Sequence, residues 1–369
     1  MDKYQICTRC IMDTTDPEIT FDSDGVCNHC HNFDNNVKPN WYPNEEGEAK
    51  LKKYILNIKE EEKNKEYDCV IGLSGGVDSS YLLYKMQGYG LRVLAVHVDG
   101  GWNSEISVGN IEKLVKEFNI DLHTHVIDWD EMKDLQVAFM KSGLSNQDVP
   151  QDHAFFAALY NYAVKNNVRY VFNGSNFATE SILPSAWGYN AMDVRLLEDI
   201  HRKFGKKPLK TFPKVSFFEY YFYYPYIKKM TIVKPLNYMP YNKDAAIEEM
   251  NKEFGWQYYG GKHHESRFTK FFQNYYLPTK FGYDKRKAHL SSLIVAGQMT
   301  REQALEKMQE VLYPADQLAE DRVFVLKKLG LKEEEFYKIL HEPNKHYTDY
   351  SSNAKLYGFF SKIKKLFAL

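Results

Sequence analysis

Four of the five cysteines, Cys7, Cys10, Cys27 and Cys30, fall in two C-x2-C pairs sixteen residues apart. Pairs of this kind sit on tight turns and close a tetrahedron of thiolates round one ion. Soft ligands select Zn2+ first, with a rubredoxin-like iron site as the lesser alternative. Two disulfides are the competing reading, disfavoured where thiols stay reduced. Four thiolates leave no open position, so the site is expected to be structural. Its metal would supply roughly 10 kcal/mol or more of this small unit's folding free energy. His29 and His31 read as surface or outer groups once four sulfurs saturate the ion. The fifth cysteine, Cys69, lies inside an apolar run and reads as a buried small hydrophobe.

A second kind of chemistry is written in Ser74-Gly75-Gly76-Val77-Asp78-Ser79-Ser80. A glycine turn between a strand and a helix N-terminus offers main-chain amides to phosphate oxygens, aided by the helix dipole. Ser74, Ser79 and Ser80 add hydroxyls. The spacing is not that of a Walker loop, which needs a lysine, nor of a dinucleotide G-x-G-x-x-G. The bland alternative is a glycine turn of no consequence. His97-Val98-Asp99-Gly100 and Asn173-Gly174-Ser175-Asn176 close two further strand-like runs. Asp99, Gly174, Ser175 and Asn176 thus stand where an open parallel sheet receives a nucleotide. Each is weak alone, since an Asp at a strand end is as often a helix cap.

The elements that must position these groups alternate. Tyr67 to Leu73, Arg92 to Val98, Asp121 to Val126 and Tyr170 to Asn173 read as strands. Ser80 to Met86, Val108 to Phe118 and Ala154 to Asn166 carry helical spacing between them. That rhythm implies βαβ crossovers, so the expected class is α/β, a parallel sheet with helices on both faces. Residues 34 to 66 are charge-rich and read as a connector with a solvated helix. From Asp244 onward the pattern turns helical, with Gln303 to Leu312 and Asp316 to Leu329 as helices. A chain of 369 residues exceeds one ordinary domain. The expected units are a zinc ribbon over 1–40, a nucleotide-binding domain over 41–240 and a helical substrate or partner region over 241–369.

The Ser74 to Ser80 string resembles the PP-loop of ATP pyrophosphatases, the superfamily of asparagine, guanylate and NAD synthetases. The resemblance implies an adenine nucleotide alpha hydrolase-like fold. It implies a loop gripping the β,γ-phosphates while ATP is cut between α and β, with Asp78 as the helper for Mg2+. Combined with the cysteine ribbon, the chain resembles the N-acetyl sugar amidotransferases of surface-polysaccharide and nonulosonic acid pathways. Three stretches carry that likeness: Cys7-Thr8-Arg9-Cys10-Ile11-Met12-Asp13-Thr14-Thr15, the loop itself, and Gly260-Gly261-Lys262-His263-His264-Glu265-Ser266-Arg267-Phe268-Thr269-Lys270-Phe271-Phe272-Gln273. The resemblance implies conversion of a sugar's acetamido group to acetamidino, with ATP going to AMP and pyrophosphate. It implies ammonia from a separate glutaminase paired with a cyclase-like subunit, and a sugar that is nucleotide-linked (UDP) or free. A loop without lysine needs cations from elsewhere, and Lys262 and Arg267 are the candidates alongside Mg2+. Glu265, His263 or His264 are candidates for the general base, the two histidines also for substrate contact. A charged helix start on the surface is the plain reading of Lys262 to Arg267.

Composition narrows the alternatives. Lys+Arg 48 against Asp+Glu 49 gives a net charge of -1, so no global basic field draws the molecule to nucleic acid. A thiolase-like tRNA-modifying PP-loop enzyme would need reactive cysteines beyond the ribbon, and only Cys69 remains. A built-in glutaminase of the N-terminal nucleophile type would carry Cys at position 2, where Asp2 stands. A nucleotide-binding scaffold without catalysis is the third reading. Met1-Asp2-Lys3-Tyr4 opens no apolar run, so no signal peptide and a cytoplasmic location are expected. No run of about 18 apolar residues spans a membrane. With 28 Tyr and 23 Phe, aromatics are in excess. Phe217 to Tyr226 reads as strand core with wet hydroxyls, or as a surface for sugar rings or a subunit. Leu356 to Leu369 places Phe359, Phe360, Ile363 and Phe367 at helical spacing opposite Lys362, Lys364 and Lys365. Such a helix packs on its own domain or lies on a membrane surface or a partner.

Overall fold

The structure is a computed structural model that describes residues 4–262 and 264–358. Among these, five strands form one parallel sheet: β1 (Cys69–Gly72), β2 (Val93–Asp99), β3 (Asp121–Val126), β4 (Tyr170–Phe172) and β5 (Thr231–Val233). The order across the sheet is β3-β2-β1-β4-β5. Val70 of β1 stands beside Leu94 on one side and Val171 on the other. Six of the seven β2 residues are buried, as a central strand covered on both faces requires. β3, at the edge, alternates exposed and half-buried positions. β5 had no clear signal in the sequence; it is three residues long and pairs only with β4.

The chain steps outward from β1 to β3 and then returns to the other flank of β1. That reversal opens a crevice above the carboxyl ends of β1 and β4, where open sheets of this kind bind ligands. The crossovers are the helices Val77–Gln87, Glu105–Glu117, Trp129–Ser142 and Val149–Lys165. The loop of interest joins β1 to the first of these, directly at the reversal.

Two expectations need correction. Residues 34–66 are more than a solvated connector. Asn44 caps the helix Glu45–Glu61, which buries Leu51, Ile55 and Ile58 against Ile71, Leu82 and Met250. The charges crowd one face and hide an i, i+4, i+7 apolar stripe. Phe217 to Tyr226 is not a strand either. Glu219–Ile227 is a π-helix, with Lys228 N donating to Tyr223 O at 2.9 Å, an i to i+5 bond. Pro225 has no amide to give to a sheet.

The helical C-terminal region folds back on the sheet. Phe268, Phe271, Phe272 and Tyr276 build a separate core with Leu326 and Phe336, capped by Trp102 and Met140. Helices Arg301–Lys307 and Ala315–Leu329 start two residues and one residue before their expected starts, though the first ends five residues early. The cysteine unit rests on the same region through Ala288, and on the segment after β4 through Ile182 and Trp187. No helix among the described residues is long and apolar enough to cross a membrane. His263 and the residues from Phe359 to Leu369 lie outside the described residues, so the expected roles of that histidine and of the terminal amphipathic helix fall there too.

Candidate active site

The glycine loop curls where β1 ends. Gly75 takes φ +79, and a Cβ there would lie 2.5 Å from the Ser107 carbonyl oxygen, so both conformation and space require glycine. The amides of the loop face hydroxyls. Ser74 N donates to Ser79 Oγ, Gly76 N to Ser74 Oγ and Val77 N to Tyr259 Oη, each at 3.2 Å. Those three hydroxyls line a cavity of about 550 Å³ over the crevice. Side-chain oxygens on a helix N-terminus mark positions that oxyanions of a ligand can take over.

Asp78 opens the helix behind the loop. Its Oδ1 accepts from Asn176 Nδ2 at 3.2 Å and from the Tyr241 hydroxyl. Burial, then the nearby Glu180 carboxylate, hold its carboxyl above the usual carboxylate range, against the pull of Lys262. Gly174 lets the β4 turn close on this helix, since a Cβ there would sit 3.0 Å from the Asp78 carbonyl carbon. Asn176 also caps the helix Phe177–Glu180. Gly174 and Ser175 are on the cavity wall, whereas Asn176 acts on it through Asp78.

The roof comes from the C-terminal region. Residues 102–104 pair with 265–267: Ser104 N donates to Glu265 O at 2.8 Å and Arg267 N to Trp102 O at 3.0 Å. This short antiparallel clasp hangs Glu265 over the loop, where a Cβ on Gly76 would come within 3.0 Å of its Oε1. Lys262 reaches in from the same stretch, its Nζ 3.2 Å from Glu180 Oε1 and 3.3 Å from Thr179 O. Arg267 turns away. Its guanidinium pairs with Asp321 and lies 4.0 Å from the Phe324 ring centre, off the cavity wall. His264 also faces elsewhere, its Nε2 3.0 Å from Asn274 Nδ2. Asp99 staples its own turn, Oδ1 accepting from Gly101 N at 2.7 Å and Asn103 Nδ2 at 3.1 Å. Ser80 is fully buried beneath the loop.

Several wall residues had no sequence signal of their own. The His97 ring is held at both nitrogens, Nδ1 2.8 Å from Leu73 O and Nε2 3.0 Å from Asn103 Nδ2. Burial, then the Lys262 charge, holds the Lys243 ammonium below the ordinary lysine range. At another part of the wall stands Asp148. Its Oδ1 accepts from Thr269 Oγ1 at 3.1 Å and Gln151 Nε2 at 3.3 Å, its Oδ2 from Gln273 Nε2 at 3.3 Å. Lys285 is beside it, depressed by burial although Asp148 and Asp152 pull the other way.

The cysteines form a separate centre. All four are fully buried, with Sγ–Sγ distances of 3.6 Å (Cys10–Cys27), 3.7 Å (Cys27–Cys30) and 3.9 Å (Cys7–Cys30). A tetrahedral Zn2+ with bonds of about 2.3 Å sets such edges near 3.8 Å, whereas a disulfide needs about 2.05 Å. Thiols and spacing therefore fit zinc, and the amides of Arg9, Cys10 and Cys27 point at Cys7 Sγ from 3.3–3.4 Å. Cys69 is buried in β1, and burial pushes its thiol up, away from reactivity.

Comparison with known proteins assigns the two halves of this cavity. Residues 68–186 match the family model of the queuosine biosynthesis protein QueC, and residues 265–364 that of the LPS biosynthesis protein WbpG-like, C-terminal domain. No protein with a curated description matches the chain. Among solved structures, an NH3-dependent NAD synthetase from Campylobacter jejuni is 17% identical, covering 77% of this chain and 96% of its own, with a TM-score of 0.33. An NMN synthetase from Francisella tularensis is 15% identical, covering 72% and 98%, with a TM-score of 0.35. Scores that low bear on neither fold nor function. The loop and strands β1 to β4 thus fall in the stretch similar to QueC, and the part of the roof from Glu265 onward falls in the stretch similar to the WbpG-like C-terminal domain.

Proposed function

We propose that the chain is an ATP-dependent, AMP-forming amidotransferase of lipopolysaccharide-type surface glycan assembly, turning a sugar's acetamido group into acetamidino with ammonia. One observation carries this reading. A single cavity is floored by a phosphate-type loop and roofed by Glu265, Thr269, Gln273 and Lys285 of the WbpG-like domain. ATP fits the floor. Its outer phosphates replace the hydroxyls now on the amides of Ser74, Gly76 and Val77, with Lys243 and Lys262 as the cations a lysine-free loop lacks. Asp78 is the residue to hold Mg2+, which needs only one or two carboxylates plus phosphate oxygens and supplies charge neutralisation.

The acetamido sugar, UDP-linked or free, takes the Asp148 end. Its amide oxygen attacks the α-phosphorus and pyrophosphate leaves, which makes a poor leaving group into AMP. Neutral ammonia, delivered by a separate glutaminase with its cyclase-like partner, attacks the imidate carbon; the C–O bond breaks, AMP departs and an amidinium forms. Glu265 stands over the loop to take a proton from the incoming nitrogen. Asp148 meets the positive charge that grows on the amidine, an interaction stronger in the transition state than in the ground state.

The test is direct. The protein is given ATP, Mg2+, ammonium and a panel of acetamido sugars, and AMP, pyrophosphate and the mass change from O to NH are read. AMP matched to amidino sugar is expected, and Asp78→Ala abolishes it. ADP as product, or no sugar consumed, overturns the reading. Salt-sensitive tRNA binding with tRNA as the substrate would move the chain to nucleotide modification instead.

A further inference from the structure

A strong concentration of charge lies away from the cavity. Residues 202–229 hold eight Lys and Arg against one acid, Glu219, in a chain whose net charge is -1. Four of the eight are answered by carboxylates: Arg202 and Lys203 by Asp199, Lys207 by Asp130 and Lys214 by Glu198. Lys228 and Lys229 are exposed and make no ion pair among the described residues. Immediately before them the π-helix Glu219–Ile227 shows water its apolar tip: Phe218 is 62% exposed, Tyr226 68% and Ile227 66%. Phe218 stacks on Phe222 at 5.8 Å, and Phe222 lies 6.4 Å from Tyr226, so the rings form a row along one face. Behind the row, Tyr357 lies 5.5 Å from both Phe217 and Tyr221.

We infer that this face docks the protein on an anionic lipid surface, with Phe218, Tyr226 and Ile227 in the headgroup boundary and Lys228 and Lys229 on lipid phosphates. Three observations select that occupant. Exposed apolar tips followed directly by two exposed lysines match an interfacial element, which gains from apolar burial and from attraction to acidic lipid together. Protein interfaces are depleted in lysine at their cores, so a lysine-rich face is a poor protein dock. A nucleic acid would use stacking platforms, but an exposed isoleucine offers a base no π-face. The inference is independent of the reaction in the cavity.

Sedimentation of the full chain with vesicles tests it. Vesicles of phosphatidylglycerol and phosphatidylcholine are expected to carry the protein down, and vesicles of phosphatidylcholine alone are not. Added salt releases it, because exposed charges are screened. Lys228→Glu with Lys229→Glu weakens binding at least about tenfold. Phe218→Ser with Ile227→Ser lowers it as well while far-UV circular dichroism stays unchanged, since all four residues are exposed. Equal sedimentation with neutral and acidic vesicles, no sedimentation with either, wild-type binding by both variants, or preference for tRNA at the same salt overturns the inference.

Discussion

Asp78 shows the cost of placing one carboxylate close to another. Half-buried and facing Glu180, it prefers its proton in the folded state more than in the unfolded chain. The folded state then binds more protons between the ordinary carboxylate range and the raised value, so stability falls as pH rises through that window. Asp78→Asn keeps an oxygen for Asn176 and Tyr241 and removes the penalty. Without ligand it is expected to melt higher than wild type at neutral pH and to lose the difference in acid, while Mg2+ with ATP no longer stabilises it. Thermal melts over a pH series read both effects. Asp148 is the complementary case. Asp148→Asn retains acceptors for Thr269 and Gln151 but removes the charge that an amidinium needs. The Michaelis constant for the acetamido sugar should rise about tenfold or more with that for ATP unchanged, in keeping with one charged hydrogen bond. Equal changes in both constants would place Asp148 in nucleotide binding.

At the level of elements, the loop and its strands were legible because their signals are local. An apolar run, two glycines and a serine-rich helix start are adjacent in the chain, and positive φ at Gly75 is a property of that one turn. Gly75→Ala therefore costs about 1–3 kcal/mol for backbone strain, plus the collision with Ser107, and a clear drop in melting temperature is expected. The four sulfurs were legible for the same reason. Lys243, Lys285, Tyr241, Tyr259 and Asp148 were not. Each is an ordinary residue at a helix end or turn; the folding of the C-terminal region over the sheet brings Lys243, Tyr241 and Tyr259 to the loop and Lys285 to Asp148, which stands at the start of the helix Val149–Lys165. Arg267 illustrates the converse: its neighbours in the string line the cavity, but helix geometry rotates it onto Asp321. The helix Glu45–Glu61 was misread because charge density masks an apolar stripe that is only one face wide.

Across the whole molecule the cysteine unit and the cavity are mechanically linked. Arg301 donates to the carbonyls of Cys7 and Cys10, Ser291 Oγ accepts from Ile11 N at 3.2 Å, and Lys287 Nζ bonds Asp13 Oδ2 at 2.5 Å. Ser291 and Lys287 share the helix Lys285–Val295 with the lysine beside Asp148. Zinc removal by a strong chelator should therefore raise the Michaelis constant for the sugar before it affects ATP binding, and added zinc should restore it. Simultaneous loss of both affinities would mean that the unit supports the entire fold.

The clasp between residues 102–104 and 265–267 also sets a timetable. A ribosome delivers the loop and β2 more than 150 residues before the strand-like partner that covers them. A nascent chain therefore holds the floor of the cavity before the segment that covers it has been made.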